Sequence, residues 1–373
     1  MKINNRQENT SFRGYDAIPL KAFYMQGIRK PNEINIFREM KAIAKKEGID
    51  IFVNTNNIGI HTDIPSKTRF NPDLSIWAQD NKAFVKNKFG KQVLWNSKEP
   101  VMQEELFKTT FADFELNASR DMPRGGDYYI GFKENGEKWI LVNGSTMDEA
   151  EALGEMNGDP EKLIQNLFEV KSDNIFKLYT VWDDLDEVVR PVGFPYILVN
   201  NYQESLKNLD LMRKNFPTSS ILYTKMKNFL EQKINMNNTL QATNNYCKEL
   251  ESFGFKPITI GARYIEDINF INAIAMKNNK NGISYITNST KQSYKELEYL
   301  EQLFDRDLKS KVPTITNTHY VSGGKRVKGN PDSNIELYSR GLAERNGIMD
   351  ILANRLGGIH CMTAEVPNFE RII

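Results

Sequence analysis

Apolar positions along this chain follow two rhythms that keep changing places. Ile36, Phe37, Met40, Ile43 and Ala44 recur at the spacing of one helix face. Asn32 stands where such a helix would be capped, and Gly48 where it would stop. The run Ile49-Asp50-Ile51-Phe52-Val53 then predicts a buried strand. Segments 128–132 and 138–142 flank a turn containing Asn135-Gly136, the signature of a β-hairpin. Leu163, Ile164, Leu167 and Phe168 predict a helix, and 175–179 the strand after it. The pattern recurs: 188–192 and 196–199 read as a hairpin, Asn200-Asn201 opens a helix carrying Leu206, Leu209 and Met212, and further strands lie at 258–260 and 283–286. The last unit has 332–344 as its helix and 348–352 as its strand.

Four or five ββα-type units of similar size, with no Pro/Gly/Ser-rich linker between them, predict an α/β fold in one closed repeat assembly, a single domain over 1–373. The period is structural and not a repeat of sequence. Segment 220–255 is too long and polar for a loop, and Met226, Phe229, Leu230 and Ile234 at helical spacing predict an inserted helical hairpin. A lid over a site and a plain insertion are both open readings of it.

A hydrophobic content of 40% can furnish a sizeable core. Lys and Arg total 49 against 48 for Asp and Glu, so no net field draws the molecule to nucleic acid or an anionic membrane, and neither is expected as a partner. With two cysteines, Cys247 and Cys361, a disulfide framework is not expected, and no Cys-x-x-Cys or His/Cys cluster offers a zinc site. Residues 1–10 lack the apolar stretch of a secretory signal, and no apolar run is long enough to span a bilayer. The expectation is a soluble protein of a reducing, cytoplasmic compartment that uses no cofactor, with export only by another route.

The chemistry lies in three segments. Cys361 sits near the C-terminus in Gly357-Gly358-Ile359-His360-Cys361-Met362-Thr363, and far upstream are Ile76-Trp77-Ala78-Gln79-Asp80 and Asp183-Asp184-Leu185-Asp186-Glu187-Val188-Val189. A thiol is the strongest nucleophile among the side chains, and two carboxylates can hold a planar cation by paired, charge-assisted hydrogen bonds. Together they predict a composite site in which Cys361 attacks a cationic substrate gripped by acids. Set against this are blander readings: a buried inert thiol, an acidic cluster in a solvated turn, and Asp80 as a strand end or helix cap.

Trp77-x-Gln79-Asp80, the segment 183–189, and His360-Cys361 followed by Thr363 resemble, in order and approximate spacing, the catalytic domain of protein-arginine deiminases in the guanidino-modifying (pentein) superfamily. The stretch from 140–145 through a helix to 176–182 is similar to the approach to that family's Gly-His-Val-Asp-Glu motif, and the resemblance covers about 15–373. It implies a pentein five-bladed α/β propeller of ββαβ units with pseudo-fivefold symmetry. It also implies hydrolysis of a guanidino group, foremost that of arginine in a protein, to a ureido group (citrulline) with release of ammonia. Cys361 then matches the nucleophile, Asp80 and Asp186 the carboxylates that hold the guanidinium, and Trp77 and Arg124 lie in the substrate-binding region. The partner is an arginine-containing protein or a small guanidino compound. The alternatives are a degenerate pentein that binds a guanidinium or a protein partner without turnover, and a free arginine or agmatine deiminase or amidinotransferase.

Two departures from the family pattern bear on the chemistry. Where the family carries the His of Gly-His-x-Asp, this chain has Asp184, with Asp183 in that role if the register shifts by one. An imidazole near 6.5 suits proton transfer to leaving ammonia, whereas an ordinary Asp near 3.9 is ionised at neutral pH and needs burial or a neighbouring acid to raise it. Only His61, His319 and His360 exist. On a strand neighbouring residues face opposite ways, which predicts that His360 packs behind the site, while His319 is a candidate substitute for the missing histidine. The second departure is Asn81 and Ala83 where the animal enzymes place two calcium-binding Glu, so calcium independence is expected. Gly323-Gly324-Lys325-Arg326 lacks the ending of a phosphate-binding loop and reads as a basic rim.

Overall fold

The computed structural model describes residues 16–26, 31–54, 82–86, 89, 91–96, 114–118, 127–133, 135–145, 147–148, 159–180, 185–217, 220–236, 239–265, 268–289, 292–293, 295–322, 327–328 and 359–371. They form an α/β fold of helices and small mixed sheets.

The first strand, β1 (Leu20–Gln26), leads into helix α1 (Pro31–Glu47) and back to β2 (Asp50–Asn54), which pairs parallel to β1. A parallel pair needs a crossover, and the helix supplies it. The helix begins at Pro31, one residue before the expected cap Asn32, because proline has no N–H to leave unsatisfied and its φ is already helical. It ends in a Schellman motif: Gly48 takes φ +71°, the Ile49 N–H donates to the Ala44 carbonyl at 3.0 Å and the Gly48 N–H to that of Lys45 at 3.4 Å.

The same arrangement recurs. β3 (Lys82–Lys86) is antiparallel to β4 (Gln92–Asn96), and β4 is parallel to β5 (Phe114–Ala118). β6 (Tyr128–Phe132) and β7 (Lys138–Asn143) form the predicted hairpin, and helix α2 (Pro160–Phe168) returns the chain to β8 (Ile175–Leu178), parallel to β7. Asp159 caps α2 by accepting from the N–H groups of Glu161 and Lys162. The turn α3 (Leu185–Val188) opens the next unit, in which β9 (Val189–Pro191) is antiparallel to β10 (Tyr196–Asn200). Three helices follow, α4 (Tyr202–Asn215), α5 (Ser220–Met236) and α6 (Thr239–Ser252), before β11 (Lys256–Ile260) pairs parallel to β10. Asn201 caps α4 through two backbone N–H groups.

Short β12 (Arg263–Ile265) and β13 (Ile268–Asn269) pair with each other, then β14 (Ile274–Lys277) runs antiparallel to β15 (Ile283–Asn288). After β16 (Gln292–Ser293), helix α7 (Lys295–Lys311) carries the chain to β17 (Ile315–Val321), parallel to β15, and β18 (Val327–Lys328) pairs with β16. At the end a short turn, α8 (Ile359–Met362), enters β19 (Thr363–Pro367), which lies antiparallel on β1 with Leu20 opposite Pro367 and Met25 opposite Thr363.

Among the described residues there are thus five three-stranded sheets of one pattern, a middle strand antiparallel on one side and parallel on the other. One of them joins the first described strand to the last. Among the described residues the sheets share no strand pairing with one another and do not close as a barrel. Middle strands β7, β10 and β15 are buried along nearly their whole length, as two-sided strands must be. Within the 220–252 helices, Met226 and Leu230 of α5 enter the main core, and burying each such side chain is worth about 2 kcal/mol. No helix of the described residues is long and apolar enough to cross a membrane.

Candidate active site

The strands that open the sheets are preceded by polar residues at similar offsets. Asp186 and Glu187 lie in α3 just before β9, Asn272 two residues before β14, Asp127 directly before β6, and His360-Cys361 in α8 just before β19. Three of these entries meet. The His360 backbone N–H donates to Asn272 Oδ1 at 3.2 Å, and that of Ile359 to Asn288 Oδ1 at 2.8 Å. Asn288 in turn donates through Nδ2 to the carbonyls of Asn269 and Asn272, so the turn α8 is held by two asparagines that are themselves tied down. Asn269 reaches the Glu187 carbonyl at 3.4 Å, joining the α3 turn to the same centre.

The side chains continue the convergence. His360 Nδ1 lies 3.0 Å from Asp186 Oδ2, with Asp186 0% and His360 2% exposed. Burial and the nearby Arg190 guanidinium push His360 well below its usual value, so the ring is neutral. A carboxylate only accepts, which puts the imidazole proton on Nδ1. Tyr129 of β6 stacks on the ring with centroids 5.5 Å apart, and its hydroxyl donates to the Val189 carbonyl at 3.1 Å. Arg190 of β9 also lies over the Tyr129 ring, 5.1 Å from its centroid, and pairs with Glu365 of β19 at 3.2 Å. Arg190 is 0% exposed. Burial outweighs the guanidinium at Glu365 and raises its carboxyl to about 7. Burial opposes the charge on Arg190, but Tyr129, Glu365 and Tyr285 together raise its pKa, so the guanidinium stays charged.

A second buried cation stands behind Glu187. Arg263 of β12 pairs with it at 3.1 Å, donates to the Tyr202 hydroxyl at 3.4 Å, and packs 5.7 Å from the ring of Phe229 on α5. Three acids and two guanidiniums thus sit in or against the interior around one histidine.

Of the sequence-predicted site residues, Asp186 is in this centre. Cys361 lies in α8 by its backbone, one position from His360. Trp77, Asp80, Asp184 and Arg124 lie outside the described residues, as do Asp183, Asn81 and His61 and the helix and strand expected at 332–344 and 348–352. The structure differs from the expectation for His360. Residues 359–362 form a helical turn and not a strand, so neighbours are rotated by about 100° instead of 180°, and the ring reaches Asp186. His319 on β17 is engaged by Glu47 at the end of α1, Nε2 to Oε1 2.6 Å. Sequence reasoning missed Arg190 and Glu365. Their signal was there: each is a lone charge inside an apolar strand run, and a charge there is almost always paired. Among the described residues no group of three or more His, Cys, Asp or Glu could hold a metal ion.

No protein-family profile and no curated protein matches the chain. Solved structures do. One that carries the name agmatine deiminase aligns over 96% of this chain and 97% of its own, at 11% identity and a TM-score of 0.49. Another, the apo form of ArgZ, an arginine dihydrolase from the ornithine-ammonia cycle in cyanobacteria, aligns over 93% of this chain at 10% identity and a TM-score of 0.37, and this chain spans 39% of its length.

Proposed function

We propose that this chain is a cysteine-dependent hydrolase that converts a guanidino group to a ureido group and releases ammonia, acting on a small, free guanidino compound of the arginine or agmatine kind. The observation that carries the reading is the contact between Asp186 and His360, which joins the acidic turn α3 to the turn α8 that bears Cys361. The five like sheets, with the first and last strands paired, support an arrangement of the units about a common axis on which these turns meet. A fully buried carboxylate supports a slender cationic substrate that leaves its water behind, because a guanidinium satisfies the desolvated carboxylate in return.

In this reading Asp186, with Asp80, holds the guanidinium, Trp77 and Arg124 line its approach, and the Cys361 thiolate attacks the central carbon. The C–S bond forms as a C–N bond breaks, and the amine leaves as ammonia with a proton supplied by the site. Water then adds to the thiouronium carbon, the C–S bond breaks, and the ureido product and thiol are released. The net reaction takes one guanidinium and one water to one urea and one ammonium. Asp184, in the place of the usual histidine, is assigned the proton transfers, a role that requires its carboxyl to be raised, as burial or a neighbouring acid can do.

The test is incubation of the purified protein with agmatine, with free arginine and with an arginine-rich protein, following ammonia and ureido colour. Product from a free guanidino compound supports the proposal. Product from the protein alone moves the substrate to arginine in polypeptides, and none from any of the three leaves a binding module.

A further inference from the structure

His360 belongs neither to the nucleophile nor to the acids of the proposed reaction, yet it is the point at which the two meet. Its Nδ1 lies 3.0 Å from Asp186 Oδ2, its backbone N–H is held by Asn272, and its ring is backed by Tyr129 at a 26° interplanar angle. A ring so confined cannot swing away. A carboxylate that accepts a hydrogen bond from a fixed donor on one oxygen is in turn fixed in rotation about its own C–C axis. Because residue 361 follows directly in the same helical turn, this bond also sets the spacing between the α3 and α8 turns.

Resting on the proposed function, we infer that His360 is a positioning residue: as a neutral Nδ1–H imidazole it orients the Asp186 carboxylate toward the substrate guanidinium and holds the Cys361 turn in register with it. The ring takes no proton from the reaction. Burial and the Arg190 guanidinium keep it neutral across the working pH range, which leaves the Nδ1–H bond to Asp186 intact.

Asparagine separates positioning from bulk, because its Nδ2 occupies nearly the place of histidine Nδ1 and its amide donates the same bond. Phenylalanine keeps the stack on Tyr129 and loses the donor. With agmatine and arginine as probes, His360→Phe raises KM by about tenfold or more with a smaller change in kcat, and His360→Asn stays within about threefold of wild type. The second readout needs no turnover. With three histidines in the chain, 15N-histidine NMR identifies His360 by its loss in His360→Asn, and its ring is the neutral Nδ1–H tautomer from pH 5.5 to 8 and shifts in Asp186→Asn. An equal KM in wild type and His360→Phe overturns the inference, as does a ring that titrates near 6.5 or ignores Asp186→Asn. If wild type turns over no guanidino compound, the functional reading has failed, and the NMR result alone decides the contact.

Discussion

The pair of Arg190 and Glu365 gives the sharpest quantitative expectation. Both are buried, they meet at 3.2 Å, and they join β9 to β19 across a separation of 175 residues. Arg190→Met removes the guanidinium and leaves the carboxylate in the interior. Breaking a buried pair in this way costs about 3–5 kcal/mol. With an unfolding entropy of about 2.1 cal/mol/K per residue, the 373 residues give about 0.8 kcal/mol/K, so Tm falls by about 4–6 °C at pH 8. The sign with pH follows from Glu365. Its folded carboxyl sits at about 7, above its unfolded value of 4.5, so its stabilising share is complete below 4.5 and lost as pH rises through about 7. Without Arg190 that carboxyl rises further, and the variant falls behind wild type as pH increases. Scanning calorimetry on both proteins at pH 5 and pH 8 reads the gap, and Arg190→Met with Glu365→Leu should recover most of it. A gap under about 1 °C at pH 8, or one that widens toward pH 5, would refute the reasoning.

Gly48 closes α1 at φ +71°, and a Cβ there would lie 2.7 Å from Asn279 Nδ2, so Gly48→Ala should lower stability by about 1–2 kcal/mol in urea unfolding; no change would mean the helix end is not held as described. At the proposed acid–base position, Asp184→Asn should remove ammonia release from a guanidino substrate while Asp184→His keeps or raises it, and a rate indifferent to both would move the role to Asp183.

Local chemistry was legible in the sequence wherever one segment decides its own shape. The hairpin about Asn135-Gly136, the stop at Gly48, the cap at Asn201 and the helices of 220–252 each follow from residues within a turn or two. Pairings over long range were not. Nothing in 363–367 says that it lies on β1, because an apolar strand run fits any neighbour of the right length. The ion pair of Arg190 and Glu365 was equally hidden, although each residue alone broke its apolar run. For His360 the residue was seen and its local backbone misread, since the sequence pattern of a short strand entry cannot tell a helical turn from an extended one. Asp186 was picked out by composition and motif, and its partner only by the fold.

The central claim is that a thiol at position 361 attacks a guanidino carbon, and its most direct measurement compares wild type with Cys361→Ala in the conversion of agmatine and arginine to their ureido products. The substitution removes the nucleophile by deleting a single sulfur atom, so the variant should stay folded and form no product. Ureido product and ammonia from Cys361→Ala at the wild-type rate would contradict the account.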